Sequence, residues 1–105
     1  MRKRLPVIWD REARQSLKEI YNYIKKDSPP NARSVRKELL KLAGSLGNFP
    51  EKYPREPFLE DEMENFRSVV KWSWKIIYEV TDDAIIILMI FHTSQHPDKI
   101  KRRLK

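Results

Sequence analysis

Ala84-Ile85-Ile86-Ile87-Leu88-Met89-Ile90-Phe91 is the longest apolar run in the chain, rich in β-branched residues and free of Gly and Pro. A bilayer span needs about 20 residues, so the run is too short to cross one. Apolar on both sides, it suits a central strand covered on both faces. Just upstream, Trp74, Ile76, Tyr78 and Val80 alternate with Lys75, Ile77 and Glu79, the period of a strand. Asp82-Asp83 is short, polar turn material between the two runs, which makes them a hairpin. Further back, Phe66, Ser68 and Val70 alternate with Arg67, Val69 and Lys71, and a turn at Trp72-Ser73 completes a three-stranded meander. The expected strands are 66–71, 75–81 and 84–91, with 84–91 the most buried.

Ahead of the meander the period changes. Ala13, Leu17, Ile20, Tyr21 and Ile24 recur at helical spacing behind Asp10, a good N-cap. Pro29 and Pro30 end that helix. Ser28 followed by Pro29 then opens a second one, whose buried stripe is Ala32, Val35, Leu39, Leu42, Ala43 and Leu46. Gly47, with Pro50 beyond it, is the expected C-terminal stop. Helices over 10–26 and 29–46 with so short a link form an antiparallel hairpin, the natural cover for one face of the sheet. Leu5 to Trp9 reads as an edge strand, with Pro6 near its start. Asn48 to Met63 is a proline-broken loop that Phe49, Tyr53 and Phe58 are expected to tack to the body. In the tail, Ile100 and Leu104 stand four apart among basic residues, as a short helix or a disordered basic end. The whole is α+β: an N-terminal strand, then a two-helix hairpin packed on a mainly antiparallel sheet.

At 105 residues the chain is one domain, 1–105, with 97–105 a basic tail. It has no cysteine, which excludes a disulfide scaffold and a cysteine-based zinc site and fits a reducing compartment. Met1-Arg2-Lys3-Arg4 is basic, but no apolar segment of secretory type follows, so a cytoplasmic protein away from membranes is expected. There are only two glycines and no glycine-rich loop, which removes the phosphate-cradling nucleotide folds. Two histidines and scattered carboxylates give no metal spacing, so neither cofactor nor metal is expected.

The net charge is +7 and the isoelectric point about 9.8. That balance favours a polyanion or an acidic protein as partner; the plain alternative is solubility. Basic residues cluster at Arg2-Lys3-Arg4 and from Lys99 to Lys105, and none lies between Lys75 and Lys99. An acidic patch, Glu60-Asp61-Glu62 with Glu64, precedes the meander.

With these elements in this order, the chain resembles the RelE/ParE superfamily of type II toxin–antitoxin toxins, which includes the plasmid stabilisation proteins. The residues that carry the likeness are Leu17, Ile20 and Tyr23-Ile24 in the first helix, Ser28-Pro29 with Ala32 at the second, and Leu46 with Pro50 at its exit. They continue with Phe66-Arg67, Lys75-Ile76-Ile77-Tyr78-Glu79-Val80 and Phe91-His92. The resemblance implies an acidic antitoxin partner and two routes to growth arrest. RelE-like members are metal-independent, ribosome-dependent mRNA endonucleases. They turn a ribose 2′-OH on the adjacent phosphate and need a base, an acid and positive charge for the transition state. ParE-like members bind DNA gyrase and stall it on DNA. A third outcome is a fold that has lost toxicity and only binds its partner.

For the nuclease, the resemblance points to Arg67, His92 and the loop residues Lys52 and Arg55. Gln95 stands where that branch carries a catalytic arginine, and a neutral amide cannot supply the charge. The gyrase-binding reading therefore leads, with Arg67, Trp72, Trp74, Lys99, Arg102 and Arg103 as candidate contacts to target or antitoxin. Each has an ordinary counterpart. Arg67 can be a strand arginine paired with the acidic 60–64 stretch. One of Trp72 and Trp74 belongs in the core, while the other is free for contact. Tyr78, among apolar residues, reads as a core tyrosine with a bonded hydroxyl. His92 suits general-base work or, more simply, holds the turn after its strand. His96 is expected to be exposed.

Overall fold

A computed structural model describes the backbone of residues 4–103 and the side chains of residues 4–100. The basic ends at Arg2-Lys3 and at Leu104-Lys105, and the side chains of Lys101, Arg102 and Arg103, therefore lie outside the described residues. The order is β1 (Val7–Trp9), α1 (Arg11–Lys25), α2 (Pro29–Ser45), a single 3-10 turn at Pro57–Leu59, β2 (Phe66–Lys71), β3 (Trp74–Val80), β4 (Ile85–His92) and α3 (Asp98–Arg103). The strands form one sheet in the order β1-β4-β3-β2. β1 pairs with β4 in parallel at one edge, and the remaining pairs are antiparallel.

Local chemistry sets the element ends. The Asp10 carboxylate accepts the Glu12 N–H, and the Ser28 hydroxyl accepts the Asn31 N–H ahead of Pro29. Thr81 closes the β3–β4 turn, its hydroxyl oxygen accepting the N–H groups of Asp83 and Ala84. Gly47 acts otherwise than expected. It does not adopt a left-handed conformation; α2 is capped at Leu46 in ordinary helical geometry. Its role is close approach, because a Cβ there would fall 2.1 Å from the Leu5 carbonyl oxygen. The Leu5 N–H donates to the Gly47 carbonyl at 3.0 Å, so this contact ties the N-terminal segment to the end of α2.

The sheet carries a core on each face. Between the helix hairpin and the sheet, Leu17, Ile20, Val35 and Leu39 meet Val69, Ile76, Tyr78, Ile85, Ile87 and Ile90. On the other face, Ile77, Met89, Phe91 and Phe66 are covered by Leu59 and Ile100. The tail is thus a helix whose Ile100 is fully buried. β4 serves both faces through its alternating side chains, and a bulge changes which of them face which core. Ile77 pairs with Met89 and Tyr78 with Ile87, which leaves Leu88 as the extra residue and swaps the side-chain parity beyond it.

The loop is tacked down differently from the sequence expectation. Tyr53 does pack against the first core, but Phe49 and Phe58 remain exposed, and Leu59 is the residue that enters the second core. Among the described residues no helix is long and apolar enough to cross a membrane.

Candidate functional site

Arg67 sits on β2 opposite Tyr78, where the long loop crosses the sheet edge. Its guanidinium holds that loop. Nε donates to Asn65 Oδ1 at 3.0 Å, Nη1 to the Tyr53 carbonyl at 2.7 Å, and Nη2 pairs with Glu51 at 3.2 Å. Arg67 thus pairs with Glu51 and not with the acidic 60–64 stretch, because its side chain lies over the loop's first half. Arg55 is the residue that reaches the acidic stretch, donating to the Glu62 and Glu64 carbonyls at 3.4 and 3.1 Å. Lys52 is exposed, with its ammonium 5.3 Å from the centre of the Tyr53 ring.

Tyr78 lies beneath Arg67, fully buried, and its hydroxyl has no hydrogen-bond partner among the described residues. The core position matches the sequence reading; the bonded hydroxyl does not. Burial pushes the hydroxyl up to about 12 against the opposing pull of the Arg67 guanidinium. A folded-state value above the unfolded one, near 10, means the native chain keeps this proton longer. Stability is then lost as pH climbs from about 10 to 12. Tyr78→Phe is expected to remove that alkaline loss and to raise stability at neutral pH by about 1 kcal/mol, since the orphaned hydroxyl goes and its ring stays. Urea melts of both proteins at pH 7 and 11 check this. A destabilised Tyr78→Phe would mean the hydroxyl is satisfied.

His92 ends β4 and pairs with Trp74, their rings edge to face at 4.7 Å. Its Nδ1 accepts the Ser94 N–H at 3.1 Å and lies 2.7 Å from the Ser94 hydroxyl, so the neutral ring carries its proton on Nε2. Gln95 closes the same turn, its amide oxygen accepting the His92 N–H at 3.2 Å. This is the turn-holding arrangement. Gln95 is committed to it and does not project as a catalytic side chain would. His96 is exposed.

The structure does not bring the nuclease candidates together. Arg67 pairs with Tyr78 and His92 with Trp74, four residues further along β3. With about 3.4 Å per residue and about 4.8 Å per strand spacing, their Cα atoms stand about 16 Å apart. Lys52 and Arg55 lie on the Arg67 side, away from His92. Among the described residues, no three His, Asp or Glu side chains stand together to hold a metal ion.

The two tryptophans separate. Trp74 is partly buried against the core, and Trp72 is exposed at the tip of the β2–β3 turn. Trp72 has φ 55, the only non-glycine residue with positive φ among those described. A left-handed aromatic costs about 1 kcal/mol or more, which glycine would avoid. Lys71 lies over its ring at 4.9 Å. Lys99 is exposed on α3 beside Gln95.

Sequence reasoning missed a second ion pair. Lys75 Nζ meets Glu56 Oε1 at 2.8 Å, with Glu56 wholly buried, and Glu56 Oε2 accepts the Phe58 N–H at 2.7 Å. Only the position of Glu56 directly before Pro57 hints at a capping role.

Comparison with known proteins fits this architecture. The model of the family described as ParE toxin of type II toxin-antitoxin system, parDE, matches residues 7–97. A solved structure of the chromosomal ParDE TA system from P. aeruginosa is similar with a TM-score of 0.70 at 20% identity, covering 87% of this chain and 98% of that one. None of the curated proteins matches the sequence. With nearly the whole fold inside the matched span, from β1 to the turn after β4, the chain belongs to the ParE toxin family of type II toxin–antitoxin systems.

Proposed function

We propose that the chain arrests growth by binding DNA gyrase and stalling it on DNA, and that an acidic antitoxin neutralises it. The family match over residues 7–97 carries this reading. The site geometry supports it against the nuclease. Arg67 is engaged with Glu51, Asn65 and Tyr53, and His92 is tied to Ser94 two strands away at the other end of the sheet. Cleavage through a 2′-OH needs base and cation within reach of one phosphate. Losing one preorganised electrostatic contact costs roughly 10²–10³ in rate.

On this reading the contacts to target or antitoxin are Trp72, Lys99, Arg102 and Arg103. Trp72 is the best anchor: exposed, at the tip of the β2–β3 turn, and held in a left-handed conformation that a tryptophan does not favour. Arg67 and Trp74 act by positioning the loop and the end of the sheet. An antitoxin that wraps the folded toxin raises its stability in step with concentration over Kd.

The test is a supercoiling assay with purified gyrase, run beside translating ribosomes. The protein is expected to block supercoiling and accumulate cleaved gyrase–DNA complexes while leaving mRNA uncut at the same concentration. Co-expression of an acidic protein encoded next to it should relieve growth arrest. Codon-positioned mRNA cleavage, abolished in a folded His92→Ala variant, would establish the endonuclease instead. Partner binding with no growth arrest at all would establish the non-toxic alternative.

A further inference from the structure

The outer side of the helix hairpin carries a segregated charge pattern. On α1, Arg14, Lys18, Tyr21 and Lys25 recur at helical spacing on one flank. On α2, Arg33, Arg36, Lys37 and Leu40 share the facing flank. Tyr21 fixes the register of the two, because its ring lies 5.8 Å from the Lys25 ammonium and 5.6 Å from the Arg36 guanidinium. The seam is therefore flanked by six exposed cations, Arg14, Lys18, Lys25, Arg33, Arg36 and Lys37. Among the described residues none of the six is in an ion pair. The carboxylates of the same helices, Glu12, Glu19 and Glu38, all fall on the opposite flanks.

A merely solvated helix face interleaves its charges so that positions four apart attract. Here Arg14 and Lys18, Arg33 and Lys37, and Lys37 and Lys41 are like-charged pairs four apart, each mildly unfavourable to its helix. Gly44, inside α2, opens instead onto a separate cleft lined by Arg4, Leu5, Pro6 and Val7.

We propose that this seam binds the phosphodiester backbone of duplex DNA, without regard to sequence. An acidic amphipathic helix fits it less well. Such a partner docks on apolar anchors at successive turns, and the seam offers only Tyr21 and Leu40. Two rows of Arg and Lys along 15- and 17-residue helices instead match a line of phosphates. The inference deepens the gyrase reading, since a toxin seated on the enzyme would also hold the DNA on which the enzyme is stalled. Binding to DNA is nevertheless measured without gyrase.

The experiment is fluorescence anisotropy of the full chain on a labelled 20-base-pair duplex across a salt series. Five or six phosphate contacts give a slope of log K against log salt of about −5. Replacing Lys18, Lys25 and Arg36 together by alanine is expected to reduce the slope's magnitude by about 2.7 and to weaken binding at least roughly tenfold at moderate salt. All three are exposed, and circular dichroism confirms that the variant folds. A control with the same change in net charge, Lys26→Ala, Lys52→Ala and Lys71→Ala, should stay near wild type. Equal loss in the control assigns binding to net charge and overturns the seam. So does the absence of duplex binding at low salt. Loss of antitoxin binding in the seam variant with duplex binding intact makes the seam a protein interface and overturns it as well. Duplex binding that depends on the seam, by a protein that leaves gyrase unaffected, supports the seam and rejects the gyrase reading.

Discussion

Lys75→Met is expected to destabilise the protein by about 3–5 kcal/mol, because it strands a carboxylate inside the second core. Glu56 has no exposed side-chain surface, and Lys75 is its only charged partner among the described residues. Once Lys75 is gone, the Phe58 N–H alone remains to hold the negative charge. The reverse substitution should hurt less. Lys75 keeps 16% of its side chain exposed and can turn its ammonium to water. In Glu56→Gln the amide oxygen can still accept the Phe58 N–H, so a loss of about 1–2 kcal/mol is expected. The double variant Glu56→Leu with Lys75→Met removes both charges and leaves two apolar side chains beside Phe58 and Leu59. It should return close to wild-type stability, since a buried pair is often no better than a hydrophobic replacement. Urea midpoints at unchanged m-value measure all three. A Lys75→Met cost below about 1 kcal/mol would show that the pair is not desolvated in the way described.

This pair also shows what a sequence can and cannot disclose. The helices were legible because their signals are local: Asp10 and Ser28-Pro29 fix the starts, and apolar residues three and four apart fix the buried faces. The meander was legible because alternation and a short polar turn suffice to define it. Glu56 and Lys75 are 19 residues apart, on a loop and a strand, and no period connects them. The same holds for Glu51 and Arg67, 16 apart. The second core was hidden for a related reason. Leu59 and Ile100 come from a loop and a tail, and neither shows a face until the sheet gives them one to cover. The Leu88 bulge was invisible because every residue from Ala84 to Phe91 is apolar, so a change of parity leaves no mark. Gly47 was placed correctly but for the wrong reason, since a close approach to Leu5 and a left-handed cap look alike in one dimension. The cationic seam needed the Tyr21–Arg36 register before residues of two helices could be seen as one surface.

Arg67→Ala is expected to cost about 2–4 kcal/mol, from charge-assisted hydrogen bonds worth roughly 1.5–3 kcal/mol each before partial replacement by water. Three groups lose a donor: Asn65 Oδ1, the Tyr53 carbonyl and the Glu51 carboxylate, the last of which keeps Asn65 Nδ2. Tyr53 sets the lower bound, because its carbonyl lies at the part-buried end of the fork, whereas Glu51 is exposed and re-solvates readily. Arg67→Lys should recover little, because one ammonium cannot span three acceptors held by a planar fork. For a domain of this size each kcal/mol moves Tm by about 4–8 °C, so a drop of at least 8 °C is expected. The functional consequence separates two roles for this arginine. As a residue that positions the loop, it leaves gyrase inhibition per folded molecule within roughly threefold of wild type, a shift under 1 kcal/mol, when assayed well below the lowered Tm. As a direct target contact, Arg67→Ala would abolish inhibition at temperatures where the variant is fully folded. Amide exchange across residues 48–63 supplies the deciding readout. Faster exchange there, with β4 unchanged, is the signature of a released loop, and unaltered exchange would show that Arg67 does not hold it.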